Sequence, residues 1–512
     1  MSLIFIECLF LSACLIFLMG INSFVRKWKN LVLYACGGFF LTLIVSYVFL
    51  CFFEVQLSFY LIVVFSLFFV TKYLLNESGV EKAKPRKDED TFILGSESGQ
   101  LEFYYPRDNF MVLGGAGSGK TASIGKPILE QYIRYGWAGF IYDYKDYDYT
   151  KTAWNLVQKY KYPYKFYYIS FTDMSRTYRF NILNKNVIRN ETMLFQAMTD
   201  FFNAMKPEKG NTDEWFQAAL GLLCGVAVRF YKFQGDYEKY CTLPHILNFI
   251  LMATPEQLTR FLEGDMMSKM KAGAFLGSKG SERTQSSVIF SINNYISNLA
   301  TNKNVCYVLS GNDFIYDLID PEDPKLFAVS NNFAIESMIS PIVAMLVPLA
   351  ARRIEFGNRV KFAFVLDEMT TVKVNDFQSL PSVLREYGVS FLVLTQSGTK
   401  FDKLYGKEDR VSIMANFANL FLGKTKDVEA LKYYPLFFGK EEKEKKSISA
   451  GSSSGRYNSS VTRSKQKEEI YDSNKFAELQ KGEFILSIAN TIGTPAAIAW
   501  LIASFVCGIT LS

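Results

Sequence analysis

Three apolar runs open the chain, at roughly 3–22, 31–53 and 56–75, and the pattern then changes character. Each run is close to the ~20 residues that a membrane-spanning helix requires, and a helix satisfies its own backbone in lipid. Residues 1–75 carry only six charged side chains, Glu7, Arg26, Lys27, Lys29, Glu54 and Lys72. Beyond them the apolar positions come in short buried-strand runs: 110–113, 138–144, 166–171, 325–330, 361–366, 389–394, 419–423, 483–488 and 496–502. Alternating with helical stretches, these predict an α/β fold layered on a sheet. Over 190–302 the spacing turns helical at 192–205, 213–233, 243–252 and 255–262, with few strand signals. An all-α insertion domain at 191–302 is the simplest account. Residues 439–468 differ again: a mixed-charge run, Lys440 to Lys446, precedes a stretch with eight serines, Gly451 and Gly455. That composition predicts a mobile loop. Its Lys443, Lys445, Lys446, Arg456, Arg463, Lys465, Lys467 and Tyr457 suit a nucleic-acid backbone or a merely solvated segment equally well.

Charge gives the membrane runs a direction. Arg26, Lys27 and Lys29 lie between the first two runs, and Lys82, Lys84, Arg86 and Lys87 follow the third. Both groups belong on the cytoplasmic side. Three spans then put the N-terminus outside and residues 76–512 inside; the very short turn at Glu54-Val55 also admits two spans, with the second and third runs forming one broken element. The first run lacks the positive n-region of a cleaved signal peptide. The eight cysteines form no CxxC pair and read as reduced thiols. The net charge of +6 is too small to argue for nucleic acid by itself. A single histidine, His245, excludes a His-rich metal site and makes histidine acid–base chemistry a poor expectation.

The first strand of the α/β part runs directly into Gly114-Gly115-Ala116-Gly117-Ser118-Gly119-Lys120-Thr121, a complete G-x-x-x-x-G-K-[ST] phosphate-binding loop. Glycines let successive N–H groups point at phosphate oxygens. Lys120 supplies positive charge for the β and γ phosphates, and the Thr121 hydroxyl suits Mg²⁺. A helix beginning within 122–135 would offer its N-terminus to the anion, with a kink or late start at Pro127. The second element of an ATP site is a carboxylate on a nearby strand. The run 361–366 ends in Asp367-Glu368, where Asp367 would hold Mg²⁺ through water and Glu368 would be the base or water-positioner. The strand at 389–394 leads to Thr395 and Gln396, whose amide can sense the γ-phosphate. Arg385, just before that strand, is either a surface salt-bridge former or an arginine finger reaching a neighbouring subunit's nucleotide. Lys120 and Asp367 are 247 positions apart. A strand–helix–strand unit takes about 30 or more, so the insertion separates two halves of one nucleotide-binding domain, 76–190 and 303–512.

Together these motifs resemble a known family. The membrane anchor, the P-loop, the helical insertion and the series Leu366-Asp367-Glu368, Leu384-Arg385-Glu386-Tyr387-Gly388 and Leu394-Thr395-Gln396-Ser397 are similar to the type IV secretion coupling proteins, the TraG/TraD-like ATPases of bacterial conjugation. The likeness covers most of 76–500. Asp143-Tyr144-Lys145 stands where the family tends to have Asp-Pro-Lys, and Tyr178-Arg179-Phe180-Asn181-Ile182-Leu183 resembles an Arg-Tyr-Asn-Pro-Leu segment with Ile in place of Pro. The resemblance implies a RecA-like P-loop ATPase, assembled as a homohexameric ring at the bacterial inner membrane. Such a ring would use ATP and Mg²⁺ to move single-stranded DNA, with its attached relaxase, toward type IV secretion channel components. The family's arginine finger falls on Arg385 and its post-strand glutamine on Gln396. Two departures stand out: the family usually has two spans, and no long acidic tail follows the last strand, so recruitment through such a tail is not expected.

Other functions fit parts of the pattern. The same motor could export protein effectors, since ring and anchor would be unchanged. A double-stranded DNA translocase of the FtsK type would need a C-terminal DNA-reading module that the sequence does not show. A non-hydrolysing assembly scaffold would have no need of Lys120, Asp367 and Glu368 together.

Overall fold

The computed structural model describes residues 90–97, 99–206, 214–355, 357–396, 398–453, 456–488 and 502–504. The three apolar runs expected to span a membrane lie outside the described residues, as does most of the expected strand at 496–502. Among the described residues, no helix is long and apolar enough to cross a membrane.

Two short strands, β1 (Phe92–Ser96) and β2 (Gly99–Phe103), pair antiparallel ahead of the main sheet. The sheet itself is built from β3 (Phe110–Leu113), β4 (Ala138–Asp143), β5 (Lys165–Ser170), β6 (Lys325–Ser330), β7 (Phe362–Leu366), β8 (Val389–Thr395), β9 (Asn419–Gly423), β12 (Glu483–Ile488) and β13 (Ile502–Ser504). Its order is β13-β12-β9-β3-β8-β7-β4-β6-β5. From β9 to β5 every neighbouring pair is parallel, and β12 and β13 add an antiparallel edge. Helices cover both faces, which is why the central strands read as unbroken apolar runs.

Two-residue alternation divides each strand between two cores. Phe110 and Val112 of β3, Ile141 of β4, and Leu392 and Leu394 of β8 join Ile124, Leu129 and Tyr149 on one face. Met111, Leu113, Phe140, Tyr142, Phe391 and Val393 point to the other face, toward the helical layer. There Phe140, Phe364 and Phe391 form a ladder across β4, β7 and β8, with ring centroids 6.1 and 4.8 Å apart. Each such pair contributes about 0.5–1.5 kcal/mol beyond simple burial. Aromatic packing of this kind clamps neighbouring central strands of the sheet.

Between β5 and β6 the regular elements are all helical. The α-helices are Glu191–Asn203, Glu214–Tyr231, Leu243–Met252, Pro255–Glu263, Met266–Lys271, Gly273–Gly277, Glu282–Ala300 and Lys303–Leu309. Several of their starts are capped: Asn190 accepts from the Met193 N–H at 2.9 Å, and Thr254 and Gln257 form a reciprocal capping box. The helical layer is tied to the sheet domain by charge as well as by apolar contact. Asp200, buried on helix Glu191–Asn203, pairs with Arg352 at 2.6 Å and accepts from the Asn375 side chain at 2.9 Å. Arg352 ends the helix Glu336–Arg352 that follows β6.

Residues 440–469 depart from the expected loop. They form a two-stranded antiparallel hairpin, β10 (Lys440–Ser453) with β11 (Arg456–Glu469), in register from Lys440↔Glu469 to Ser453↔Arg456. The register sets Glu442 opposite Lys467, Glu444 opposite Lys465 and Ile448 opposite Val461. A serine- and charge-rich composition hides such cross-strand complementarity from a one-dimensional reading. The hairpin's base is closed by a Gly439–Ile470 backbone bond of 3.2 Å and by Phe438 against Tyr471 and Phe476.

Candidate nucleotide site

Strand β3 ends at Leu113, and Gly114–Thr121 curls away from its C-terminal edge. The curl needs its glycines: Gly117 and Gly119 have φ of +76° and +96°, in the left-handed region. A Cβ on Gly119 would also come within 2.9 Å of the Gly482 amide nitrogen. Neighbouring strands hold the loop in place. The Gly114 N–H donates to Thr395 O at 3.3 Å, Gly115 N–H to Lys424 O at 2.7 Å, and Gly482 N–H to Ser118 O at 2.9 Å. Ala116 and Gly117 form the exposed rim. After Lys120 the chain makes one wide π turn over Lys120–Gly125. The α-helix starts only at Lys126, with Pro127 directly after the π turn, where the intrahelical ladder is already shifted.

Lys120 is 6% exposed, and its Nζ folds back to donate to Gly114 O at 2.6 Å and Gly115 O at 3.2 Å. Burial pushes its ammonium down to about 8, with Lys145 adding to the effect and Glu368 and Asp367 opposing it. An entering phosphate would supply the missing counter-charge.

The acids lie two strands away. Asp367 follows β7, is fully buried, and neither carboxylate oxygen has a hydrogen-bond partner among the described residues. Burial raises it to about 7, opposed chiefly by the charge of Lys145 and reinforced by Glu368 and Asp143. A buried carboxylate with free lone pairs beside a P-loop threonine matches what a hydrated Mg²⁺ requires. The residues therefore fit the ion, and Thr121 and Asp367 are the two that could hold it.

Glu368 sits at φ +49°, a left-handed conformation rare for a side chain of this size and associated with functional turns. A 3₁₀ turn fixes it, with Thr371 donating from both its N–H (2.9 Å) and hydroxyl (2.8 Å) to Glu368 O. Gln396, just beyond β8, donates from Nε2 to Glu368 Oε1 at 2.8 Å. The acid and the amide singled out in the sequence are thus direct partners.

Arg385 is placed elsewhere. It ends the helix Leu380–Arg385, is half exposed, and pairs with Asp108 at 3.4 Å. Asp108 precedes β3, whereas Gly114 follows it. The four residues of β3 between them span about 13 Å, more than an arginine side chain reaches. Arg385 therefore faces away from the P-loop of its own chain.

One group at the site, named above only as part of Asp143-Tyr144-Lys145, was not among the expected site residues. Lys145 Nζ donates to Thr121 Oγ1 at 3.0 Å and stands 3.9 Å from Asp367 Oδ2. The signal was its place, two residues beyond the end of β4, the strand beside β7. His245 lies in the helical layer instead, bonded to Thr242 at 2.7 Å.

A family model described as type IV secretory system conjugative DNA transfer matches residues 69–479. Solved structures with the same fold include the bacterial conjugative coupling protein TrwBdeltaN70 in an unbound form, at 17% identity and a TM-score of 0.60 over 82% of this chain and 88% of that one. The plasmid coupling protein TrwB in complex with ADP and Mg²⁺ matches at 17% identity and TM-score 0.60, over 84% and 94% of the two chains. TrwB with the non-hydrolysable ATP analogue ADPNP matches at 18% and 0.59, over 85% and 95%. Among curated proteins, no match was found.

Proposed function

The chain belongs to the type IV secretory system conjugative DNA transfer family, and on that premise we propose that it is a membrane-anchored, ATP-hydrolysing motor. Its cargo is single-stranded DNA with attached relaxase, delivered to type IV secretion channel components by a homohexameric ring at the bacterial inner membrane. One observation carries this reading: Lys120, Thr121, Asp367, Glu368 and Gln396 gather at the C-terminal ends of adjacent strands, beside the Gly114–Thr121 loop.

Each residue then has a task. The N–H groups of Gly115 to Thr121 cradle the phosphates, and Lys120 exchanges its bonds to Gly114 O and Gly115 O for phosphate oxygens. Bound Mg²⁺ would supply charge neutralisation between the β and γ phosphates, held by Thr121 and, through water, by Asp367. Glu368, oriented by Gln396, accepts a proton from the attacking water. Arg385 serves the neighbouring subunit, which agrees with its exposure and with its distance from its own P-loop. Strand β8 has Arg385 four residues before its start and Gln396 just after its end. One rigid segment thus links the γ-phosphate of one site to the finger presented to the next.

The test compares the full chain in detergent with Lys120→Ala. The native chain should hydrolyse Mg·ATP while the folded variant should not; near-native turnover by the variant would refute the site.

A further inference from the structure

The two groups suited to hold Mg²⁺ already share a cation, the ammonium of Lys145. Its Nζ donates to Thr121 Oγ1 at 3.0 Å and lies 3.9 Å from Asp367 Oδ2. Asp367 has no hydrogen-bond partner among the described residues, and Lys145 is the cation that pairs with this buried carboxylate.

The turn that aims Lys145 is a built feature. Asp143, fully buried, accepts from Thr150 N–H and Oγ1, both at 2.8 Å, and from the Lys145 N–H at 3.2 Å. Asp146 and Tyr147 hold positive φ of +48° and +69°, each a cost for a residue with a side chain. They are held by Asp146 N–H donating to Asn331 O at 3.0 Å and Tyr147 N–H donating to Ser330 Oγ at 2.9 Å. Tyr144, between Asp143 and Lys145, donates to Glu336 at 2.5 Å. Strain of this sort persists where the surrounding structure fixes it for use.

We propose that Lys145 is a resident cation that occupies the Mg²⁺ position until nucleotide arrives, so that free metal is excluded and the ion enters only together with the nucleotide phosphates. Two cations cannot share Thr121 and Asp367 at contact distance without strong repulsion. The β and γ phosphates bring the negative charge that lets the metal replace the ammonium. The Lys145 side chain is 43% exposed, so it has room to withdraw. The device keeps the Asp367 carboxylate compensated throughout the cycle and ties metal occupancy to nucleotide occupancy.

The proposal rests on Gly114–Thr121 being a nucleotide site, and its test separates the two ideas. Mn²⁺ serves as the metal probe, titrated by electron paramagnetic resonance into the nucleotide-free full chain in detergent. Lys145→Met should bind Mn²⁺ at least tenfold more tightly than the native chain, and Lys145→Arg should match the native chain. Equal affinity in native and Lys145→Met proteins that still bind a Mg²⁺–ATP analogue would overturn the resident-cation idea alone. A native chain that takes up Mn²⁺ as tightly without nucleotide as with it would overturn the idea however the variants fold. Failure of the native chain to bind the Mg²⁺–ATP analogue would instead remove the nucleotide-site reading beneath it.

Discussion

The Gln396 side-chain amide donates to the Glu368 carboxylate at 2.8 Å, joining the residue after β8 to the second acid after β7. In a motor, this bond would fix the general base and give the neighbouring strand a means of sensing its state. Glu368 is 3% exposed and backed by a strained turn, so the hydrogen bond acts on a carboxylate with little freedom of its own.

Removing that bond should slow the chemistry more than it weakens binding. A hydrogen bond to a charged group is worth about 1.5–3 kcal/mol, or about 10- to 100-fold in rate. Gln396→Ala should therefore lower kcat for ATP by that factor and leave KM within a few-fold. Steady-state kinetics checks this, and a change confined to KM would place Gln396 in binding instead.

Arg385 should behave as a group supplied to a neighbour. Arg385→Ala should keep nucleotide binding and lose about 10³-fold or more in turnover, the scale of an arginine finger. Its exposed pair with Asp108 contributes at most about 1 kcal/mol to folding, so the variant should melt near the native temperature. Mixing it with Lys120→Ala should restore part of the activity. A mixture as inactive as its components would contradict action across a subunit boundary.

Asp367 makes the fold pH-dependent in a defined sense. Its folded value of about 7 lies above the ordinary 3.8, mainly through burial. The folded state therefore binds the extra proton between these values, and the charged form carries a penalty that is fully present above pH 7 and lost as pH falls toward 4. That penalty is on the order of a few kcal/mol at most. Asp367→Asn should raise the melting temperature at pH 8, give little gain at pH 4, and abolish hydrolysis. Equal stabilisation at both pH values would show that the carboxylate does not titrate in this way.

The hairpin offers a structural check. Amides within the ladder from Lys440↔Glu469 to Ser453↔Arg456 should exchange with deuterium slowly relative to a solvated loop. Complete exchange across 440–469 within seconds would restore the loop that its composition suggests.

The motif residues that carry chemistry were legible because their signals are local. A buried strand ending in Gly114–Thr121, and others ending in Asp367-Glu368 and in Gln396, announce one edge of a parallel sheet. The helical insertion showed itself through 3.6-residue spacing and an otherwise unexplained gap of 247 positions between Lys120 and Asp367. What stayed hidden depends on pairing across the chain. Lys145 acquires meaning only when β4 lies beside β7 and brings it to Thr121. The displacement of Arg385 from its own P-loop appears only once β3 and β8 are in register, with Phe110 opposite Leu392. Strands β10 and β11 were missed because complementary partners such as Glu442 and Lys467 sit 25 positions apart in a serine-rich sequence.

DNA-dependent hydrolysis tests the central claim most directly. Single-stranded DNA should stimulate ATP turnover by the full chain in detergent, and the effect should fall steeply as salt rises, because phosphate contacts release counterions. Turnover that is unchanged by single-stranded DNA at low salt, in a chain that hydrolyses ATP, would contradict a DNA motor.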